Sequence, residues 1–162
     1  MQLLLIRHAD AGDRDPALWP DDSLRPITEK GRRRHRRMAK RLKRRRLVPT
    51  LLLASPWMRA WQSAQLVAEY AGGPAPLAAP PLAAPPVLAD LRAAVGAPPP
   101  EAMVAVVGHE PWLSELASLL LTGEPERLAI DFPKSGILGL TLDRLEPASA
   151  RLAFLWRPKG SA

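Results

Sequence analysis

The chain holds three histidines, and two of them stand directly behind short apolar runs. Leu3 to Ile6 leads into Arg7-His8, and Met103 to Val107 leads into Gly108-His109-Glu110. A third run, Leu51 to Ala54, leads into Ser55-Pro56, with Arg59 one helical turn further on. An imidazole can attack phosphorus and carry the phosphoryl group, guanidinium forks bind its oxygens in pairs, and the amides at a helix start favour negative charge. Two imidazoles and two guanidiniums gathered in one place would suit phosphoryl transfer, with the cations neutralising the transferring group so that no divalent ion is needed. No cysteine is present, which removes thiol nucleophiles, thiolate metal sites and disulfides. His8, His35 and His109 are not clustered with Asp or Glu at metal-ligand spacing, so no metal and no other cofactor is expected.

Those residues need elements to bring them together. Each apolar run is followed by polar residues and then by a longer segment of helical character, a pattern of strand, loop and helix repeated three times. It predicts a three-layer α/β/α domain with a mostly parallel central sheet covered on both faces. At 162 residues the whole chain, 1–162, fits a single domain. Ligands of such sheets sit beyond the carboxyl ends of the strands. That places Arg7, His8, Ser55, Arg59, His109 and Glu110 along one edge.

The first helix is predicted from Thr28, a capping residue followed by Glu29, to about Arg46, with His35, Met38, Ala39 and Leu42 facing inward and His35 read as a packing residue. The second is predicted from Ser55-Pro56, an N-cap hydroxyl followed by proline, to Gly72-Gly73, with Trp57, Trp61, Ala64 and Ala68 as its buried stripe. Residues 73–100 are rich in Pro and Ala and read as an extended crossover around a short strand at Pro86 to Ala89. A further helix is predicted from Pro111 to Leu121, ending at Thr122-Gly123. Ile137 to Leu142 and Arg151 to Trp156 read as an antiparallel hairpin at one edge of the sheet.

Arg7-His8-Ala9 resembles the Arg-His-Gly or Arg-His-Ala signature of the histidine phosphatase superfamily, whose fold is phosphoglycerate mutase-like. Four further segments resemble its small SixA-like phosphohistidine phosphatase branch over nearly the whole length. Leu24-Arg25-Pro26-Ile27-Thr28 with Gly31 is similar to the Arg-Pro-Leu-Thr segment, Ala54 to Ala60 to the Ser-Pro-x-x-Arg-Ala segment, and Val107-Gly108-His109-Glu110-Pro111 to the Gly-His-Asn-Pro segment. Phe132 to Gly136 is similar to the branch's Phe-x-x-Ser/Thr-Gly segment. The resemblance implies a metal-independent phosphatase in which His8 accepts the phosphoryl group and Arg7, Arg59 and His109 surround it, with Ser55 and Ser135 lining the phosphate pocket. Glu110 stands where the branch has Asn. In the acid phosphatase branch an acid close after the second histidine donates a proton, which makes Glu110 the expected acid here. The stretch 73–100 is too short, and with Asp90 its sole acid too poor in carboxylates, for the insertion that mutases of the superfamily carry. The implied substrate is phosphohistidine on a protein, or a small phosphorylated metabolite.

The formal net charge is +7, and its location matters more than its size. Residues 30–46 carry 12 of the 23 Lys and Arg and no acid, while the other 11 basic residues face 16 acidic ones, a balance of −5. The basicity belongs to one helix. It supports a rival function, binding of nucleic acid or polyphosphate through helix 30–46, and also electrostatic steering of an acidic protein substrate. No run approaches the length of a membrane span or a signal-peptide core, so a cytoplasmic protein is expected, with a monomer as the default.

Overall fold

A computed structural model describes residues 1–85 and 87–159. Its sheet has six strands: β1 (Gln2–Arg7), β2 (Leu51–Ala54), β3 (Leu77–Ala78), β4 (Met103–Gly108), β5 (Ile137–Leu142) and β6 (Ala150–Trp156). They lie in the order β3-β2-β4-β1-β5-β6. The first four are mutually parallel, and β5 and β6 run antiparallel to their neighbours, so the tail is the expected edge hairpin. Every residue of β4 is buried, as suits a central strand covered on both faces.

Successive residues of the strands feed two cores. Leu3, Leu5, Val104 and Val106 meet Leu113, Leu116 and Leu120 of α4 (Trp112–Thr122) and Leu91 of α3 (Leu88–Val95). Leu4, Ile6, Ala105 and Val107 meet Met38 and Leu42 of α1 (Glu29–Arg44) and Ala60, Ala64 and Val67 of α2 (Met58–Val67). This is the three-layer α/β/α arrangement that the strand, loop and helix pattern predicts. No helix among the described residues is long and apolar enough to cross a membrane.

The helix signals hold where capping and periodicity agree. Thr28 caps α1, its hydroxyl accepting the Gly31 amide hydrogen at 3.0 Å, and His35, Met38, Ala39 and Leu42 are all buried. The helix stops at Arg44, two residues short of the expected Arg46, which itself turns to a left-handed φ of 58°. At α4 the left-handed Gly123 ends the helix as its sequence suggests.

Two expectations are corrected. α2 begins at Met58, not at Ser55-Pro56: Trp57 is its N-cap, and the Ser55 hydroxyl, which lies 2.9 Å from His109 Nε2, accepts the Trp57 amide at 3.3 Å ahead of the helix. The strand expected at Pro86 to Ala89 is not there: Pro86 lies outside the described residues, and Leu88 and Ala89 open α3. The short strand comes earlier, where Leu77 and Ala78 pair with Leu53 and Ala54. Leu88, Leu91 and Val95 sit at i, i+3 and i+7, a helical stripe that the surrounding prolines obscured.

Gly31 ties α1 to the segment behind His8. A Cβ placed there would lie 2.3 Å from the backbone oxygen of Asp10, a neighbour that cannot rotate away. Gly31→Ala should cost about 1–3 kcal/mol of stability, the usual penalty for overpacking. Thermal melting checks this; an unchanged midpoint would show that α1 can shift outward at no cost.

Candidate active site

His8 follows the last residue of β1, and all the polar groups of its backbone are held. Its N–H donates to the Gly108 carbonyl at 3.0 Å, and its carbonyl accepts the Ser135 amide at 3.0 Å. The next N–H, that of Ala9, donates to Ser63 Oγ at 2.9 Å, and Ser63 in turn donates to the Arg59 carbonyl at 2.6 Å. The imidazole of His8 is buried, with Nδ1 2.6 Å from the Ala9 carbonyl. A carbonyl only accepts, so Nδ1 carries the hydrogen and Nε2 keeps its lone pair. Burial is the main cause that holds the His8 pKa well below the ordinary imidazole value; the bond to Ala9 opposes it, and His109, Arg59 and Arg7 add to it.

Three cationic or N–H-bearing side chains close around this ring. His109, at the end of β4, has its ring centroid 5.0 Å from that of His8 and its Nε2 2.9 Å from Ser55 Oγ. Burial, reinforced by Arg59, pushes its pKa down to about 3. Arg7 donates to the Phe132 carbonyl at 2.6 Å. Arg59 donates to the Asp22 backbone carbonyl at 2.8 Å and pairs with its carboxylate at 3.1 Å. Arg7 Nε, Arg59 Nε and His109 Nδ1 are buried nitrogens without a hydrogen-bond partner, and such groups are costly to leave unpaired. Their grouping beside an unprotonated imidazole nitrogen suits an oxyanion that needs several donors at once.

Residues 3–80 match the model of the histidine phosphatase superfamily, branch 1. The chain is 32% identical to the phosphohistidine phosphatase SixA of Escherichia coli, over 97% of its own length and 92% of the relative's. The chain belongs to the histidine phosphatase superfamily. Within it the chain falls in the SixA-like branch: a solved structure of the protein histidine phosphatase SixA complexed with tungstate superposes with a TM-score of 0.79 at 26% identity, covering 98% of this chain and 97% of that one. An uncharacterized protein of Picosynechococcus sp. is 35% identical over 86% of this chain and 84% of its own. A mycobacterial glucosyl-3-phosphoglycerate phosphatase shares the fold, with a TM-score of 0.69 at 19% identity over 98% of this chain and 99% of that one.

Measured against the superfamily's pattern, the structure brings His8, Arg7, Arg59, His109 and Ser55 together and treats Ser135 differently. Ser135 is fully buried behind His8, and its hydroxyl lies 3.0 Å from His35 Nδ1, so it braces the strand end. Ser55 is also fully buried, and it acts on His109 alone among the site's side chains described. Glu110 is half-buried at the start of α4, where its carboxylate accepts the Ser114 amide at 3.2 Å and the Ser114 hydroxyl. Burial raises its pKa, with Ser114 and Arg7 opposing.

Several contributors to the site have no motif of their own. Asp22 bridges Arg59 and Arg25, and Arg25 also donates to the carbonyls of Ala11 at 3.0 Å and Gly12 at 2.7 Å, which fixes the loop after His8. Ser63 lies one turn after Arg59 on α2, a spacing that could have flagged it. Trp57, read from the sequence as part of a buried stripe, and Trp112 are half-buried beside His109, their centroids 4.8 and 5.8 Å from its ring.

His35 gives this arrangement a pH signature. Burial pushes its pKa from 6.5 down to about 4, so between those values the unfolded chain binds a proton that the folded chain does not. Stability should therefore fall as pH drops through that window, by about 1.4 kcal/mol per unit once well inside it. Thermal melts between pH 7 and pH 5 check this, with His35→Met expected to show a shallower slope than the wild type. Parallel curves for the two proteins would contradict it.

Proposed function

We propose that this phosphatase works in two steps through a phosphohistidine formed on His8, and that its substrate is phosphohistidine on a protein, with phosphomonoesters as poorer substrates. The observation that carries the reading is the His8 Nε2 lone pair, set by the Nδ1 bond to Ala9, beside three buried nitrogens that lack partners. The relatives support it: one is named a phosphohistidine phosphatase, and the SixA structure was solved with tungstate, an oxyanion shaped like phosphate.

In the first step Nε2 donates its electron pair to phosphorus, and the bond from phosphorus to the leaving atom breaks, the departing group keeping that pair and taking up a proton. Arg7, Arg59 and the Nδ1–H of His109 bind the phosphoryl oxygens as charge shifts among them. The Ser55 hydroxyl accepts the Trp57 amide and donates to His109 Nε2, which leaves the ring hydrogen on Nδ1. In the second step water attacks phosphorus, the N–P bond breaks, Nε2 regains its pair, and the water's proton leaves with the product phosphate. The low pKa of His8 keeps Nε2 unprotonated at neutral pH, so the nucleophile needs no separate base.

Glu110 is the proposed proton donor. Its burial keeps a proton on it at higher pH than an ordinary carboxyl would retain, and its charge is felt by Arg7. A phosphohistidine needs this proton least, because its leaving imidazole is readily protonated, whereas an alkyl phosphate needs it most.

His8→Ala should lower turnover of a phosphohistidine protein by about a thousandfold or more, and activity near wild type would overturn the assignment. Glu110→Gln should slow hydrolysis of an alkyl phosphate by about a hundredfold while sparing phosphohistidine. The wild-type rate on the alkyl phosphate should fall as pH rises through the raised pKa of Glu110, a limb absent from the variant. Equal losses on both substrates would reduce Glu110 to a residue that caps α4.

A further inference from the structure

The basic helix is not a uniformly solvated surface. Arg37, Lys40, Arg41 and Arg44 of α1 converge with Arg157 and Lys159, which follow β6, on a groove of about 550 Å³. Its cations come from two elements far apart in sequence. The ion pairs of α1 described are those of Glu29 with Arg32 and Arg33 in its first turns, and Arg37, Lys40, Arg41 and Arg44 have no carboxylate partner among the described residues. Like charges at i, i+3 and i+4 oppose helix formation, so this face is set against the helix that carries it.

One of these cations is held in place. The Arg41 guanidinium lies 4.1 Å from the centroid of the Trp156 ring, which stacks on Phe154 at 4.2 Å. A guanidinium lying on an aromatic face keeps its N–H edges free for a bidentate carboxylate or phosphate. Short contacts also link the groove to the active site. Arg157 pairs with Asp131 at 2.6 Å, and the next residue, Phe132, holds Arg7 through its carbonyl. In the sheet Trp156 is level with Ile137, and Ile137 with Ile6, two residues before His8.

We propose that this groove docks an acidic segment of the phosphoprotein substrate, a role that rests on the protein-phosphatase reading of the His8 site. An extended nucleic acid or polyphosphate fits less well. Arg41 covers the Trp156 face that a base would stack on, and the chain outside residues 30–46 carries a net −5 that repels a long polyanion. A short acidic stretch meets the groove and leaves the remainder of the surface alone.

The test compares two phosphohistidine peptides of the same acceptor sequence, one flanked by glutamates and one by glutamines. Wild type and an Arg37→Gln, Arg41→Gln, Arg44→Gln triple variant are assayed, with p-nitrophenyl phosphate as the control for an intact site. Wild type should prefer the acidic peptide by about tenfold in kcat/KM at about 50 mM salt, and the preference should vanish at about 500 mM, where screening is short-ranged. The triple variant should lose the preference and keep its rate on p-nitrophenyl phosphate. Equal treatment of both peptides by wild type, or a preference that survives in the variant, overturns the docking role. So does loss of inorganic polyphosphate binding in the variant with the peptide preference intact. If neither peptide is hydrolysed, the substrate reading of the His8 site has failed, and fluorescence anisotropy of the labelled, unphosphorylated acidic peptide then decides the groove: binding about tenfold weaker in the variant supports it, and equal binding overturns it.

Discussion

The 2.6 Å bond from His8 Nδ1 to the carbonyl of Ala9 is the constraint on which the rest of the site depends. It reaches only to the next residue, so it can form only if the Ala9–Asp10 peptide points its oxygen back at the ring. The two peptides before it are fixed from several sides: Ser63 of α2 takes the Ala9 amide, Ser135 takes the His8 carbonyl, and Gly108 of β4 takes the His8 amide. Gly31 of α1 packs against the backbone of Asp10 just beyond. Strand, helix and tail hairpin thus all contribute to one tautomer, and the tautomer leaves Nε2 unprotonated.

The cations are positioned by a second set of contacts, each using only part of a guanidinium. Asp22 takes the end of Arg59 and the Phe132 carbonyl takes the end of Arg7, while the Nε of each stays unpartnered. An anchored but unsaturated guanidinium is oriented before substrate arrives, so little reorganisation accompanies charge transfer. Burial also lowers the basicity of His8 and His109 while it raises that of Glu110. One low-dielectric environment therefore favours a free nucleophile and a protonated acid together.

The site was legible in the sequence to the extent that its residues follow apolar runs. Arg7-His8, Ser55 with Arg59, and Gly108-His109 are strand-end positions, and a parallel sheet gathers strand ends whatever the loops do. What was left unread depends on partners distant in sequence. Asp22 lies in a loop, Ser63 on a helix face, and the bond between Ser135 and His35 spans 100 residues, a pairing that no local pattern encodes. The fold was legible for the same reason and failed at Leu88 to Val95, where flanking prolines concealed a helical stripe, and at Ser55, which lies ahead of an α2 that starts only after Trp57. Trp57 was misread because an apolar stripe signals burial without saying whether a core or an imidazole lies against it.

The covalent role of His8 is tested most directly by intact mass after rapid quenching without acid during turnover of a phosphohistidine peptide. The expected result is one added phosphate on wild type, absent from His8→Ala, lost on mild acid treatment and retained in base, as a phosphoramidate behaves. Turnover by wild type with no adduct at any quench time, or an adduct that survives acid or persists in His8→Ala, would contradict the account and place the phosphoryl group elsewhere.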